Sequence, residues 1–577
     1  MTTAHYVDAG DGIRIAVYEE GNPDGPPLVM THGWPDSHRL WDGVVAELAD
    51  RFRIIRYDNR GAGASTVPKP VREYTMARLA DDFAAVVAEY SPGVPVHVLA
   101  HDWGSVAVWE YLSRPEASAT VASFTSVSGP STDHFGAFIR SGLARPYRPV
   151  RFAQALGLAA RMSYWLPFSV PVLAPAAMRA GLARRLQAKD SPGAPKYRGD
   201  GFDDDAANSM KIYRAIAFRK PTLRRDHYVT VPVQLVCNDK DPVVRPYGFA
   251  DQARWSPRLW RRDLLAGHWA PFSHAPAIAQ AVRELVDHLD GAPPARALRR
   301  AEVGRARGPF GHTLVAVTGA GSGIGRATAL AFAAAGAEVV VSDIDEANAK
   351  QTAAQITERG GQAHAYAVDV ADAEAVGRFA ARVCAEHGVP DVVVNNAGVG
   401  QAGAFLDTPP EQFDRVLDIN LGGVINGCRA FAAKMVERGT GGHIVNVASM
   451  AAYAPLGSMN AYCTSKAAVF MFSDCLRGEL ASAGIGVTTI CPGVVDTNIV
   501  ATTHFDIDVD VADAARARAQ KVFTRRRYTP DKVAKAILAA VHNGTAVRPV
   551  TPEAHLVYGL SRLVPGALRR AARADAL

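Results

Sequence analysis

The stretch LAHDWGSVA, at residues 99–107, places an aspartate where a side chain can do chemistry. A short apolar run precedes Asp102, a helical pattern follows it, and its neighbours Ala100, Gly104 and Ser105 are small. A sharp turn from a strand into a helix is crowded, and it presents one side chain beside the backbone N–H groups of the helix N-terminus. A carboxylate held there can attack an electrophilic carbon and form an ester. The pattern therefore predicts Asp102 as a nucleophile.

Two downstream residues have the types needed to release such an ester. Asp241 follows the apolar run VQLVCNDKD, and His268 lies in LLAGHWAPF. A histidine can activate the hydrolytic water, and an acid can orient the histidine. Asp239 is the alternative to Asp241, and His274 is the alternative to His268. The chain order is therefore nucleophile, acid, histidine.

Upstream, the segment THGWPD follows another apolar run. The backbone N–H of Trp34 and that of Trp103 are expected to form a donor pair for negative charge that develops during the reaction. The indole of Trp34 has a simpler alternative role as a hydrophobic wall.

A second set of reactive residue types lies far downstream. Tyr462 and Lys466 are four residues apart, so on a helix they share one face. An ammonium beside a phenol favours the phenolate and is expected to lower a pKa that starts near 10. Such a tyrosine can act as base toward an alcohol or as acid toward a ketone. Ser449, 13 residues before Tyr462, is expected to hold the substrate oxygen.

A glycine-rich stretch precedes this second set. The sequence VTGAGSGIGRATALAF begins at Val317, where an apolar run ends and a helical pattern begins. Glycines there allow the backbone to approach a pyrophosphate at the N-terminus of the helix. Asp343 closes the next apolar run, 18 positions after Gly325, where a carboxylate can bind both adenosine ribose hydroxyls and repel a 2′-phosphate. The predicted cofactor is NAD, in preference to NADP.

The elements around these residues predict two α/β units. Short apolar runs such as PLVMTHG, VHVLAHD, TLVAVTG and DVVVNNAG alternate with longer helical patterns, which indicates parallel sheets. We expect an α/β-hydrolase-type domain at residues 1–290 with a helical lid at about 131–226. A linker rich in Pro, Gly and Arg is expected at 291–311, followed by a Rossmann-type doubly wound domain with a C-terminal extension at 312–577.

The first unit, over roughly residues 5–290, resembles the epoxide hydrolases of the α/β-hydrolase family. The motifs that carry the resemblance are HGWP, RGAGAS, HDWG and GHW, in the family order. The resemblance implies an epoxide opened by Asp102, with lid tyrosines donating hydrogen bonds to the leaving oxygen; Tyr213 and Tyr164 are the candidates. One alternative is a dehalogenase of the same fold, although relatives of that kind tend to carry HGNP. The other is that one half is a non-catalytic binding or scaffolding module and only the dehydrogenase is active.

The second unit resembles the short-chain dehydrogenase/reductase family over about residues 312–550, through TGAGSGIG, NNAG, YCTSK and PGVVDT. The resemblance implies that Asn420 relays a proton through water from Lys466. The cofactor contacts it implies are Thr318, Gly319, Ser322, Gly323, Ile324, Gly325, Asp343, Asp369, Val370, Asn396, Ala397, Gly398, Tyr462, Lys466, Pro492, Gly493, Val495 and Thr497. Together the two units resemble epoxide hydrolase/dehydrogenase fusion proteins of actinobacteria, and a homo-oligomer through the dehydrogenase unit is expected.

Composition sets limits on other functions. The chain has 577 residues, 48% hydrophobic and 21% charged, with a net charge of +6, and no basic motif typical of nucleic-acid binding accompanies its arginines. Six scattered cysteines predict neither a disulfide framework nor a metal site and favour a reducing cytoplasm. No apolar run of about 18 residues predicts a membrane span. The segment HLVYGLSRLVPGALRRAARADAL either packs on its own domain or a partner subunit, or contacts an anionic membrane.

The order of the two units suggests consecutive steps. An epoxide hydrolase produces a vicinal diol, and a dehydrogenase can oxidise one hydroxyl of a diol. The expected substrates are small or lipid-like molecules, because the predicted lid is rich in apolar residues.

Overall fold

The computed structural model describes residues 3–10, 12–217, 227–497, 503–505 and 528–571. The chain forms two compact units, Met1–Arg305 and Ala306–Leu577. Both contain a largely parallel sheet with helices on its faces, which confirms the predicted fold class.

The first unit contains an eight-stranded sheet in the order β1-β2-β4-β3-β5-β6-β7-β8. Strand β2 pairs antiparallel with β1 and β4, and the other pairings are parallel. The strands are β1 His5–Asp8, β2 Arg14–Gly21, β3 Pro27–Thr31, β4 Arg53–Tyr57, β5 Val96–His101, β6 Val121–Val127, β7 Val233–Asn238 and β8 Leu259–Leu264. All residues of β5 and β7 are buried, as expected for central strands covered on both faces.

Seven helices among the described residues accompany this sheet outside the insertion: α1 Asp42–Leu48, α2 Met76–Tyr90, α3 Asp102–Tyr111, α4 Ala117–Thr120, α12 Ala270–Ser273, α13 Ala275–Leu289 and α14 Arg296–Ala301. The last of these lies inside the expected linker. Leu298 of α14 is fully buried and clusters with Trp260 of β8, so this part of 291–311 packs on the first unit.

The insertion between β6 and β7 is helical where the structure describes it, and residues 218–226 lie outside the described residues. Its helices are α5 Thr132–Leu143, α6 Pro149–Met162, α7 Trp165–Phe168, α8 Leu173–Arg179, α9 Leu182–Asp190, α10 Phe202–Ser209 and α11 Lys211–Ala217. Phe135 and Leu158, from α5 and α6, join the main core. Residues of α8 to α11 instead cluster with Trp34 and Trp103, so the later helices cover the edge where strands β3 and β5 end.

The second unit contains a seven-stranded parallel sheet in the order β11-β10-β9-β12-β14-β15-β17. Its strands are β9 Leu314–Thr318, β10 Glu338–Asp343, β11 Gln362–Ala367, β12 Val392–Asn395, β14 Gly442–Val447, β15 Ile485–Cys491 and β17 Val547–Pro549; β13 Gln401–Ala402 pairs separately with β16 His504–Phe505. Its helices are α15 Gly323–Ala334, α16 Glu346–Glu358, α17 Ala373–His387, α18 Pro410–Leu417, α19 Gly423–Arg438, α20 Asn460–Leu480, α21 Pro530–Asn543, α22 Pro552–Leu563 and α23 Pro565–Ala571.

The C-terminal extension packs on the second unit through α22. The ring of Tyr558 lies 5.2 Å from that of Tyr453 and 6.5 Å from that of Phe470. This contact agrees with packing on its own domain, which was one of the two alternatives for the segment; residues 572–577 lie outside the described residues. Among the helices that the structure describes, none is long and apolar enough to span a bilayer.

Candidate active sites

Asp102 occupies a sharp turn between β5 and α3. Its φ is +47°, a left-handed conformation that costs energy for a residue other than glycine and is held by the surrounding structure. The small neighbours are required: a Cβ on Gly104 would lie 2.3 Å from the carbonyl oxygen of His32, and one on Gly129 would lie 2.4 Å from that of Asp102. The packing therefore fixes the carboxylate at the carboxyl edge of the sheet.

Backbone donors hold this carboxylate. The N–H of Trp34 donates to Asp102 Oδ2 at 3.0 Å, and the N–H of Trp103 also hydrogen-bonds the carboxylate. Burial raises the pKa of Asp102 to about 6, although the charge of His268 and these donors oppose the rise. Asp102 is therefore ionised at neutral pH, and the two backbone groups predicted as a donor pair both face it.

His268 lies between two carboxylates. Its Nδ1 hydrogen-bonds Asp241 Oδ2 at 2.8 Å, and its Nε2 lies 3.7 Å from Asp102 Oδ1. Asp241 is fully buried and accepts N–H donors from Val243 and Val244, whereas the alternative, Asp239, is exposed. Burial opposes the charge on His268, but the charge of Asp241, its hydrogen bond and the charge of Asp102 outweigh it and raise the pKa of His268 to about 10. The structure thus brings Asp102, Asp241 and His268 together.

Aromatic side chains from the insertion cover the nucleophile. The ring of Tyr213 on α11 lies 5.5 Å from that of Trp34, 5.5 Å from that of Trp103 and 5.8 Å from that of Tyr164. Burial raises the pKa of both tyrosines above its usual value, and the charge of Asp102 adds to the rise. Both phenols therefore stay protonated and able to donate near Asp102.

Two indole N–H groups in the same aromatic cluster are buried beside the tyrosines of the insertion. They belong to Trp103 and Trp165, whose rings lie 5.6 Å apart, and they face the phenols of Tyr213 and Tyr164, respectively. Buried donors in this position are candidates for ligand recognition.

In the second unit, Ser449, Tyr462 and Lys466 meet beside β14 and β15. Ser449 hydrogen-bonds the Tyr462 hydroxyl, and Lys466 Nζ donates to the carbonyl oxygen of Val447 at 3.1 Å. The expected lowering of the Tyr462 pKa is wrong for the protein alone: burial raises that pKa, and the hydrogen bond from Ser449 only partly opposes it. Lys466 Nζ lies 5.8 Å from the centre of the phenol ring, and burial lowers the Lys466 pKa to about 8.

Asn420 is buried in a π-helical turn, Asp418–Gly422, between α18 and α19. Its side chain accepts from the N–H of Val399 at 2.8 Å and donates to the Val399 carbonyl at 3.0 Å and to Ser465 Oγ at 3.1 Å. The side-chain amide is thus occupied in positioning the loop after β12. π-Bulges within helices are frequent at functional sites.

The glycine-rich loop between β9 and α15 forms a close cradle. A Cβ on Gly325 would lie 2.1 Å from the carbonyl oxygen of Gly319, and φ is positive at Gly319 (+61°) and Gly323 (+52°). Thr497 lies across this loop, since a Cβ on Gly323 would be 3.7 Å from its side chain. The backbone can therefore approach a bound diphosphate at the N-terminus of α15, which fits a dinucleotide.

Comparison with known proteins supports both predicted domains. "Probable oxidoreductase EphD" from Mycobacterium tuberculosis is 62% identical over 578 residues, which cover 98% of this chain and 98% of the relative. The chain belongs to the EphD family. In this EphD-family chain, residues 26–275 match the α/β hydrolase fold family and residues 313–507 match the short chain dehydrogenase family. The chain is therefore an oxidoreductase of the short-chain dehydrogenase kind fused to a hydrolase-fold domain.

Two further similarities concern the dehydrogenase domain alone. D-threitol dehydrogenase from Mycolicibacterium smegmatis is 38% identical over 231 residues, 40% of this chain and 86% of that enzyme. A short chain dehydrogenase/reductase from Burkholderia phymatum, solved in complex with NAD, is 27% identical with a TM-score of 0.42, covering 46% of this chain and 96% of that one.

The remaining predicted cofactor residues of this EphD-family chain divide into two groups. Some maintain the shape of the cradle: the Thr318 hydroxyl accepts from the N–H groups of Asn396 and Ala397 at 3.0 and 3.2 Å, and a Cβ on Gly398 would lie 3.3 Å from Lys466 Nζ. Others lie at its rim or beneath it. Ser322 is the N-cap residue of α15, Ile324 packs on the core, Asp369 is exposed, and Val370 and Val495 are buried. The Pro492 carbonyl accepts from the N–H of Met450, and Gly493 packs against Thr551.

Asp343 ends β10 beside the glycine-rich loop. Its Oδ2 accepts from the N–H of Gly321 at 2.8 Å, and a Cβ on Gly321 would lie 2.7 Å from that oxygen. The carboxylate therefore lies beside the glycine-rich loop, where the sequence predicts that it contacts the adenosine ribose of the cofactor.

Two acidic residues of the hydrolase domain were missed from the sequence because no motif or spacing marks them. Asp190, at the end of α9, accepts from the N–H of His268 at 2.8 Å and from that of Trp269 at 3.0 Å. Asp36 is buried, accepts from Trp269 Nε1 and Gln187 Nε2, and has its pKa raised by burial to about 7. The insertion thus holds the loop that carries His268.

A possible metal-binding group also escaped sequence reasoning, because its members come from three elements. Glu338, His364 and His387 bring ligand atoms within 4.8 Å of one another. His364 Nε2 hydrogen-bonds Glu338 Oε1 at 2.9 Å, and His387 Nε2 hydrogen-bonds the Tyr366 hydroxyl at 2.7 Å. These atoms are already engaged within the protein, so we assign the group no role.

Proposed function

We propose that the hydrolase domain converts an epoxide to a vicinal diol through an ester on Asp102. The observation that carries this proposal is an ionised carboxylate at the strained turn, covered by two protonated tyrosines of the insertion. Asp102 attacks one epoxide carbon, a carbon–oxygen bond of the ring breaks, and Tyr164 or Tyr213 protonates the leaving oxygen. The product of this step is an alkyl ester with a neighbouring hydroxyl.

Water then releases the diol. His268 takes a proton from water, and the hydroxide attacks the carbonyl carbon of the Asp102 ester. The N–H groups of Trp34 and Trp103 already face this carboxyl group and supply donors for the oxyanion. Collapse breaks the ester bond to the alkyl oxygen, which takes the proton held by His268 and leaves as the second hydroxyl of the diol. Asp102 now contains one oxygen from water, and its carboxyl proton returns to the tyrosine that protonated the epoxide oxygen, which restores the carboxylate.

Formation of the ester prepares His268 for its role. The pKa of His268 is high because Asp241 and Asp102 both carry negative charge beside it. Esterification removes the charge of Asp102, which lies 3.7 Å from Nε2, and so favours the neutral imidazole. Neutral His268, the form that can take a proton from water, is therefore generated when the ester is ready for hydrolysis.

Single turnover in oxygen-18 water tests this function. The expected result is label in Asp102 itself, detected by peptide mass spectrometry, with unlabelled oxygen in the first diol. His268→Gln should accumulate protein heavier by the mass of the epoxide, and Asp102→Asn should not. Label found only in the diol, with Asp102 unlabelled, would refute the ester.

Hydrolytic dehalogenation is the second candidate, because two buried indole donors, those of Trp103 and Trp165, lie in the aromatic cluster that covers Asp102. A departing halide is stabilised by hydrogen-bond donors, whereas a departing epoxide oxygen needs a proton. The N–H groups of Trp103 and Trp165 fit the former need, and Tyr164 and Tyr213 fit the latter. Parallel panels of epoxides and haloalkanes, assayed with Tyr213→Phe and Trp165→Phe, separate the two functions. Epoxide turnover should fall with Tyr213→Phe, and haloalkane turnover should fall with Trp165→Phe.

We further propose that the dehydrogenase domain interconverts an alcohol and a ketone with NAD(H). A bound nicotinamide ring accepts or donates the hydride. Ser449 holds the substrate oxygen, Tyr462 transfers its proton, and Lys466 with Asn420 connects Tyr462 to solvent. These roles rest on the buried arrangement of Ser449, Tyr462 and Lys466. Tyr462→Phe should abolish turnover while weakening NADH binding, measured by fluorescence, by no more than about tenfold, the loss of one hydrogen bond.

The preference for NAD rests on Asp343, whose carboxylate repels a 2′-phosphate. Asp343→Ala should narrow the difference in KM between NAD and NADP by at least tenfold. Asp345→Ala, two residues further on, is the matched control and should leave both KM values unchanged.

We infer three further properties of the whole protein. The two reactions are consecutive, so an epoxide supplied with NAD should yield NADH; diol without NADH across a broad epoxide panel contradicts this. The protein forms homo-oligomers through the dehydrogenase domain, which light scattering can test. Its proposed location is the cytoplasm, a reducing compartment, since six scattered cysteines predict no disulfide framework.

A further inference from the structure

Helix α6 of the insertion presents an apolar face to solvent. Val150, Ala153, Leu156 and Ala160 are exposed and follow helical spacing, so they form one stripe along α6. Val150 is 71% exposed and Leu156 is 53% exposed. A surface helix of a globular protein normally turns its polar side to water, so this arrangement indicates a face that has an apolar partner.

The stripe ends in an exposed apolar loop. Residues 166–173, LPFSVPVL, contain no charge, and Leu166, Val172 and Leu173 are each at least 70% exposed. Val172 has a φ of +69°, an unfavourable conformation for a β-branched residue. The inner side of the loop is packed, because the ring of Phe168 lies 5.2 Å from that of Trp34 and 5.3 Å from that of Tyr213. Because the inner side of the loop is packed against these rings, its apolar outer side remains exposed to water.

Positive charge lies at the other end of the stripe. The stretch 134–189 contains eight arginines and one lysine but no acidic residue. Arg179 and Arg184 pair with Asp204 and Asp203 of α10. Arg145 and Arg148 lie in the fully exposed segment 144–150, and no carboxylate of the described residues forms an ion pair with them.

We propose that this surface, formed by residues 143–150, the exposed stripe of α6 and the loop 166–173, docks on an anionic lipid surface. An amphipathic helix with basic residues beside its apolar face lies in the plane of a membrane interface, and each basic residue near an anionic leaflet contributes about 1 kcal/mol. Charge complementarity selects anionic lipid in preference to a second copy, which would bring the same positive charge against itself. We call this surface the lid face.

Docking by the lid face places the lipid beside the aromatic cluster that covers Asp102. The docking itself is independent of any reaction and is tested without substrate.

The test is flotation of the full chain with vesicles of phosphatidylcholine, or of phosphatidylcholine with about a third phosphatidylglycerol. We expect binding to the anionic vesicles only, weakened by salt. Arg145→Gln/Arg148→Gln should weaken it roughly thirtyfold, at about 1 kcal/mol for each arginine. Leu166→Ser/Leu173→Ser should reduce the bound fraction at least tenfold, with thermal unfolding unchanged.

Matched controls lie on the second unit. Arg359→Gln/Arg378→Gln removes the same charge, and Leu406→Ser/Ile344→Ser removes two exposed aliphatic side chains, so neither should alter binding. Absence of vesicle binding, equal binding to neutral vesicles, or loss of binding only in the control variants would overturn the proposal. Self-association that Leu166→Ser/Leu173→Ser abolishes, without vesicle binding, would assign the lid face to a second copy and would also overturn it.

Discussion

Removal of the charge on Asp102 is predicted to lower the pKa of His268 sharply. The atoms Asp102 Oδ1 and His268 Nε2 are 3.7 Å apart. At that separation, two unit charges in an effective dielectric constant of about 20 attract by about 4.5 kcal/mol, which corresponds to roughly a thousandfold change in the protonation constant. The pKa of His268 is about 10 in the intact protein. In Asp102→Asn, whose uncharged amide mimics the ester, we expect it near 7, within reach of a general base.

The assay is pH titration of the imidazole by NMR, with the protein labelled at histidine. His268→Gln identifies the resonance among those of the 17 histidines. Asp239→Asn is the matched control, because Asp239 is an exposed carboxylate near the same loop and should leave the pKa of His268 unchanged.

Asp241→Asn provides a second arm. Asp241 hydrogen-bonds His268 at 2.8 Å and contributes more to its raised pKa than Asp102 does. This variant should therefore lower the pKa of His268 further than Asp102→Asn. A pKa of His268 that stays near 10 in Asp102→Asn would refute the reasoning that esterification generates the base.

Three further predictions concern positioning and packing. Asp190→Ala should slow epoxide hydrolysis roughly tenfold in kcat, because two charge-assisted hydrogen bonds to the His268 loop are lost, while the exposed Asp200→Ala should have no effect. Gly325→Ala should lower the free energy of unfolding of the second unit by at least about 2 kcal/mol and abolish NADH binding. Gly377→Ala, in open space on α17, is the control and should be neutral or stabilising. Chemical denaturation measures both changes. Lys466→Met should stabilise the second unit by up to about 3 kcal/mol at pH 7, because burial lowers the Lys466 pKa from 10.5 to about 8. The unfolded chain keeps this proton up to about pH 10.5, so the gain should shrink as pH rises from 8 to 10.5.

The reactive groups were predictable because short motifs fix them locally. LAHDWGSVA contains the strand end, the crowded turn and the helix start together, so the placement of Asp102 at the turn follows from a few neighbouring residues. The same holds for the loop at Gly319–Gly325 and for the helical pair Tyr462 and Lys466. Parallel strands then bring these segments to one edge of each sheet, which is why separate motifs meet.

The pKa of Tyr462 was not predictable in this way. Spacing showed that Lys466 shares its helix face, but spacing does not report burial. In the structure both side chains are buried, which raises the pKa of the phenol and lowers that of the ammonium, while Lys466 donates to Val447. Desolvation therefore outweighs the attraction that the helix face suggested.

The contacts that the insertion makes with the loop of His268 could not be predicted from the sequence. Asp190 ends α9 and accepts from the N–H groups of His268 and Trp269, roughly 80 residues later in the sequence. Gln187, on the same helix, donates to Asp36, which also accepts from Trp269 Nε1. No periodicity encodes such a pairing, because it depends on where a long insertion returns to the sheet. The same insertion also supplies Tyr164, Tyr213 and Trp165 above Asp102. In the proposed function, the choice between an epoxide and a haloalkane substrate therefore depends on the packing of these helices. Substitutions in α9 should change the position of His268, the proposed base, although no residue of α9 is proposed to contact the substrate.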